Sequence, residues 1–169
     1  MRVQNNPYYR IMMRLIPADA TVLDLGCGRG DPFIDTNFKK LIGIDLFSKK
    51  FDMPEYTKIM YRDIKKIDKM FLPKSFDVIT AIDVIEHLTK REGGTLLKNA
   101  EIIAKDMILI FTPLVWSDNK EHVEDESLWC YGNKYNYHKS LWTIKDFIKR
   151  GYNVVPCQEG YVLAVKVLK

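Results

Sequence analysis

The stretch Thr21-Val22-Leu23-Asp24-Leu25-Gly26-Cys27-Gly28-Arg29-Gly30 constrains this chain more than any other. A run of strand-forming residues enters three alternating glycines, whose missing side chains let a backbone turn sharply and come close to a ligand. A second apolar run, Ile42-Gly43-Ile44, ends on Asp45. In parallel α/β folds an acid at that place accepts hydrogen bonds from ribose hydroxyls. Turn and acid together point to a nucleoside-containing cofactor. Dinucleotide sites carry G-x-G-x-x-G ahead of a helix that receives a pyrophosphate. Here the pattern is G-x-G-x-G with Asp24 before it, which disfavours a nicotinamide-dependent oxidoreductase. The phosphate loop G-x-x-x-x-G-K-[ST] is absent from the sequence.

At 169 residues the chain has the length of one domain with a core of its own. Hydrophobic residues make up 47% and charged residues 28%, which excludes collagen-like and largely disordered classes. A net charge of +4 falls short of the dense cationic face of a nucleic-acid binder. The three cysteines, Cys27, Cys130 and Cys157, form no Cys-x-x-Cys pair, and their odd number suits a reducing compartment. Arg10 and Arg14 interrupt the apolar residues of the opening segment, so no signal peptide is expected. No run reaches the ~20 apolar residues of a membrane helix. These readings predict a cytoplasmic protein that does not enter the membrane.

Residues 8–16 have the pattern of an amphipathic helix limited by Pro17. Five short apolar runs follow at 21–25, 41–44, 58–61, 76–81 and 107–111, with helical spacing over 92–104 before the last. Near-continuous apolar strands alternating with helices predict a parallel sheet covered on both faces. Two closing runs, 153–157 and 161–168, flank Glu159-Gly160 and read as an antiparallel hairpin at the sheet edge. The expectation is a single α/β domain over 1–169: a Rossmann-like, doubly wound, mostly parallel seven-stranded sheet with a C-terminal antiparallel hairpin. Residues 112–140 break the rhythm. This aromatic-rich connection holds Trp116, Trp129, Tyr131, Tyr135 and Tyr137, a content that argues against disorder. It reads either as a covering loop or as a lid over a substrate.

The segment Val22–Gly30 resembles the first motif of the class I S-adenosylmethionine-dependent methyltransferases, which place an acid in the strand before G-x-G-x-G. The resemblance continues in order through Arg62-Asp63-Ile64, Phe76-Asp77-Val78-Ile79-Thr80-Ala81, Ile82-Asp83-Val84-Ile85-Glu86-His87-Leu88 and Phe111-Thr112-Pro113. Late in the chain, His138-Lys139-Ser140-Leu141-Trp142-Thr143 is similar to a segment of a common subgroup. The resemblance implies S-adenosyl-L-methionine as cofactor. Asp24, Gly26, Gly28 and Gly30 would then form its motif, with the Cys27 carbonyl near its amino group. Asp45 would hold the ribose and Leu46 would pack on adenine. Asp63 would accept from the adenine amine, helped by the Ile64 backbone, and Ala81 to Asp83 would pass under the sulfonium.

Such a cofactor carries an activated methyl, so the protein must align a nucleophile and, where that nucleophile is protonated, supply a base. The candidates are His87, His138 and His122, of which His138 closes the aromatic connection. A chain this short has little room for a recognition domain, which favours a small-molecule acceptor. Two alternatives stand beside it: a catalytically inactive cofactor-binding module, and a metal-assisted RNA 2′-O-methyltransferase. Asp83, Glu86, His87 and the later His138 are similar to the metal-holding residues of the small-RNA 3′-end 2′-O-methyltransferases. The same Asp83-Val84-Ile85-Glu86 spacing is that of a helix capping box. The expectation is no metal, with Asp83 and Glu86 capping a helix and His87 and His138 lining the acceptor pocket.

Overall fold

In the computed structural model, which describes residues 6–47, 51–157 and 160–169, the apolar runs are strands. These are β1 (Thr21–Leu25), β2 (Lys40–Ile44), β3 (Lys58–Met60), β4 (Phe76–Ile82), β5 (Ala104–Pro113), β6 (Asn153–Cys157) and β7 (Tyr161–Val167). They form one seven-stranded sheet in the order β3-β2-β1-β4-β5-β7-β6. The first five strands pair in parallel, and β7 lies antiparallel between β5 and β6. The Rossmann-like sheet with its C-terminal antiparallel hairpin is as expected. Glu159 of the hairpin turn lies outside the described residues, as do positions 1–5 of the opening segment.

Helix α1 (Pro7–Arg14) starts where Asn6 accepts from the Tyr8 amide at 2.9 Å, with Pro7 at its first position. Helix α2 (Lys90–Ile103) opens on a reciprocal cap: the Thr89 hydroxyl accepts from the Glu92 amide, and the Glu92 carboxylate accepts from the Thr89 amide. Two five-residue helices follow, α3 (Lys120–Glu124) within the aromatic connection and α4 (Ile144–Ile148) after it. The crossover after β1 holds a 3₁₀ turn, Asp31–Phe33, and that after β3 a 3₁₀ stretch, Ile64–Lys69, kinked at Lys66. Among the described residues no helix is long and apolar enough to cross a membrane.

Because strand side chains alternate, each strand feeds two cores. Leu23, Leu25, Ile79 and Ile108 pack with Leu96, Leu97 and Ala100 of α2, and with Trp142 and Phe147. Val22, Val78, Leu109 and Phe111 face the other way, onto Met12 and Met13 of α1 and onto Phe33.

The α2 side offers a paired test of packing. A Cβ on Gly93 would lie 2.5 Å from the fully buried Trp142 ring and 3.0 Å from Ile85, whereas one on Gly94 meets only Arg150 at 3.6 Å. Gly93→Ala is expected to cost about 1–3 kcal/mol by overpacking. Gly94→Ala should stabilise by about 0.5–1 kcal/mol through helix propensity. Denaturant melts of the two variants check the opposite signs.

Candidate active site

Strand β1 is followed in the chain by β2 on one side, while β4 adjoins its other edge. That reversal opens a crevice at the carboxyl ends of the strands, where open α/β sheets place their ligands. A cleft of about 400 Å³ lies there, floored by the glycine turn and walled on one side by the aromatic connection.

Gly26, Gly28 and Gly30 all have positive φ, 70°, 50° and 72°. At Gly26 the glycine is also demanded from inside the protein, because a Cβ would lie 2.5 Å from Val84. At Gly28 the neighbour is the connection: a Cβ would come within 3.1 Å of the Trp129 ring. The amides of Gly26 and Cys27 donate to the Ile44 carbonyl at 2.7 and 3.1 Å, so the turn is tied to the end of β2. The Gly28 amide donates to Asp45 Oδ2 at 3.0 Å, and the Phe47 amide to Asp45 Oδ1. Each carboxylate oxygen thus keeps a lone pair for a further donor.

Asp24 is buried on β1, where Tyr56 and Thr80 hydroxyls each donate to one of its oxygens at 2.7 Å. Burial outweighs these two bonds and pushes its carboxyl up to about 7. Between the ordinary carboxylate range and about pH 7 the folded chain therefore holds a proton that the unfolded chain has lost. Stability of the ligand-free protein is expected to fall as pH rises through that window and to level above it. Chemical denaturation at a series of pH values should show this slope, flattened in Asp24→Asn.

Leu46, Asp63 and Ile64 line the same cleft as Asp24, Gly26, Cys27, Gly28 and Asp45. Asp63 also caps the 3₁₀ segment after β3, accepting from the Lys65 amide at 3.0 Å. The Cys27 carbonyl accepts from the Gly30 amide at 2.7 Å, and its thiol sits where a Cβ on Gly43 would fall. Two expected positions lie elsewhere. Gly30 turns the chain without lining the cleft, and Ala81 is fully buried, pointing from β4 into the α2 side of the core. Alternation along β4 brings Ile82 to the cleft instead, with Asp83 just beyond.

The expected capping box at Asp83 and Glu86 does not form. Asp83 has a left-handed φ of 53° and accepts from the Tyr9 hydroxyl of α1 at 3.0 Å. Glu86 is buried and accepts from Thr112 Oγ1 at 2.8 Å. Only a 3₁₀ turn, Ile85–His87, follows, so the three residues do not share a helix face. The reciprocal cap sits further along the chain, at Thr89 and Glu92.

His87 and His138 are brought together, ring centroids 4.8 Å apart. The clamp is backbone: the Glu86 carbonyl accepts from the Lys139 and Ser140 amides at 2.8 and 3.1 Å. Ser140 Oγ donates to the Leu88 carbonyl at 2.7 Å and accepts from the Trp142 indole at 3.0 Å. His87 Nδ1 lies 3.4 Å from the Tyr137 carbonyl, and the ring also hydrogen-bonds to the Asp83 backbone. Burial and the neighbouring His138 lower the His87 imidazole to about 4, and burial lowers His138, so both rings are neutral at pH 7. Ligand atoms of Glu86, His87 and His138 lie within 4.8 Å of one another, the group among the described residues suited to a metal ion. His122 lines the cleft from α3 but is exposed.

Residues 5–151 match the family model described as a methyltransferase domain. The chain belongs to the class I S-adenosylmethionine-dependent methyltransferases. Its fold is that of an S-adenosylmethionine-dependent methyltransferase from Archaeoglobus fulgidus, at 18% identity over 95% of this chain and 93% of that one, TM-score 0.65. It is also that of a TehB-like methyltransferase from Corynebacterium glutamicum, at 17% identity over 95% and 86%, TM-score 0.61. The methyltransferase domain of a bacterial CtHen1 is similar at 23% identity over 98% and 100%, TM-score 0.61. No curated protein sequence matches the chain closely enough to count as a relative.

The cofactor of this methyltransferase is S-adenosyl-L-methionine. Its cleft fits that group on three counts: a volume within the range of small-molecule sites, open lone pairs on Asp45, and a glycine at 28 where a Cβ would fill the cradle. Sequence reading missed Tyr9, Asp31, Tyr56 and Thr112. Tyr9, Tyr56 and Thr112 reach the site from elements distant in the chain, Asp31 directly follows the glycine turn, and none carries a local pattern that announces it.

Proposed function

We propose that this methyltransferase transfers a methyl group to a small-molecule acceptor held between the glycine turn and the aromatic connection. The observation that carries the reading is the wall the connection builds over the cleft with Asn119, Trp129, Tyr135 and His138. A walled cleft suits a small acceptor better than an open groove would. Asp45 would hold the ribose, Leu46 the adenine face and Asp63 with Ile64 the adenine edge, while Asp24, Gly26, Cys27 and Gly28 would cradle the amino-acid end. The segment from Ala81 to Asp83 would pass under the sulfonium, with Ile82 and Asp83 lining the cleft. When bound, the cofactor supplies an activated methyl. The chain's part is to fix the acceptor in line with that methyl and to exclude water. His138, backed by His87, is the group placed to take a proton from a hydroxyl or ammonium acceptor. Incubation with methyl-labelled cofactor and fractionated metabolites is expected to label a small molecule. Label confined to RNA or protein would contradict the reading.

The Glu86, His87 and His138 group favours a second reading. A carboxylate and two neutral imidazoles suit a divalent ion that would polarise an acceptor hydroxyl, as in a metal-assisted RNA 2′-O-methyltransferase. Elemental analysis decides between them. The first reading expects no stoichiometric metal and transfer that survives chelator. Bound manganese, zinc or iron that His138→Ala loses would establish the second.

A further inference from the structure

Asp31 stands just past the glycine turn, where Gly30 with its left-handed φ of 72° swings the chain back toward the cleft. Its side chain is held rigidly. Pro32 restricts the next residue, and Phe33 is fully buried as the anchor of the 3₁₀ turn. Arg29 donates through Nε, at 3.1 Å, and Nη2 to Asp31 Oδ2, fixing the plane of the carboxylate. The other oxygen, Oδ1, is buried and has no hydrogen-bond partner. Asp31 lines the cleft beside Tyr9 and Asp83. The Tyr9 hydroxyl donates to Asp83, and besides burial the charges of Asp83 and Asp31 both hold that phenol above the ordinary range.

A buried carboxylate oxygen without a donor is costly, and a rigid fold keeps one where something else supplies the donor. The donor at this end must be cationic to suit two carboxylates. A metal ion is not the answer, because Asp31 is outside the one metal-competent group found among the described residues. A primary ammonium provides both the positive charge and three N–H donors.

We propose that Asp31 is a cofactor-positioning residue whose Oδ1 receives the α-ammonium at the amino-acid end of S-adenosylmethionine. The inference rests on the cofactor reading of the cleft and adds a residue outside its glycine motif. The carboxylate selects for the intact amino-acid tail, and so distinguishes the cofactor from nucleosides that lack it.

The test is calorimetric titration of the full chain with two ligands. S-Adenosylhomocysteine keeps the ammonium; 5′-methylthioadenosine keeps the nucleoside and thioether but has no amino-acid end. Asp31→Asn is expected to weaken S-adenosylhomocysteine about 10- to 100-fold, the scale of a lost hydrogen bond to a charged group. Methylthioadenosine affinity should stay unchanged, and the ligand-free melting curve should show that the variant is folded. Asp31→Ala, which also removes the Arg29 contact, should give the same split between ligands. Equal losses for both ligands, or no loss for S-adenosylhomocysteine, would overturn the proposal while leaving the cofactor reading in place. Asp45→Ala marks the other failure: if wild type binds neither ligand and Asp45→Ala changes nothing, the cofactor reading itself falls.

Discussion

Asp45→Ala is expected to weaken S-adenosylhomocysteine binding by roughly two to four orders of magnitude. Two charge-assisted hydrogen bonds to ribose hydroxyls are lost, each worth about 1.5–3 kcal/mol. The effect has a second source inside the protein. The same carboxylate holds the Gly28 and Phe47 amides, so its removal also frees the turn that forms the floor of the cleft. Asp45→Asn, which keeps an acceptor for one amide, should lose less. Calorimetry on the three proteins, with melting curves to confirm folding, measures the difference. Unchanged affinity in the alanine variant would remove Asp45 from the site.

The second large effect is expected from the aromatic connection. Replacing residues 116–137 by a short Gly/Ser linker should abolish methyl transfer while keeping S-adenosylhomocysteine affinity within about tenfold, since the connection supplies one wall and not the floor. The physical basis is that its buried residues, Val123, Cys130 and Asn133, belong to neither of the two cores flanking the sheet. The backbone clamp of Lys139 and Ser140 on Glu86 survives the replacement. A narrower variant isolates the chemistry. With the acceptor found by labelling, His138→Ala should lower kcat about 10²- to 10⁴-fold, the range of general-base contributions, with cofactor affinity unchanged. A linker variant that transfers methyl as well as wild type would reduce the connection to a covering loop.

What the sequence made legible follows from the range of the interactions involved. Strands β1, β2 and β4 are buried on both faces, so their apolar runs stand out at any alignment of the reading frame. The glycine turn and Asp45 were legible for a similar reason. Positive φ at Gly26 and Gly28 leaves few residue choices, and an acid that ends a buried strand has few structural excuses. The segment after β4 was misread because Asp83 and Glu86 satisfy the capping pattern in one dimension. In three dimensions Tyr9 from α1 takes Asp83, and Thr112 from the end of β5 takes Glu86. Local propensity lost to two long-range hydrogen bonds. Ala81 is a simpler case: the parity of β4 turns its side chain into the core, and a resemblance that names a segment does not fix which side chain faces the cleft. The pairing of His87 with His138 depends on the Glu86 carbonyl clamp, a backbone contact across the connection that no side-chain pattern encodes.

The central claim is that the cleft between the glycine turn and Asp45 is a nucleoside–amino-acid cofactor site. Equilibrium titration of the wild-type chain with S-adenosylhomocysteine, set against the nicotinamide dinucleotides, tests it most directly. The account predicts saturable binding of one S-adenosylhomocysteine per chain, lost in Asp45→Ala, and no binding of either dinucleotide. Saturable binding of a nicotinamide dinucleotide with none of S-adenosylhomocysteine would contradict it.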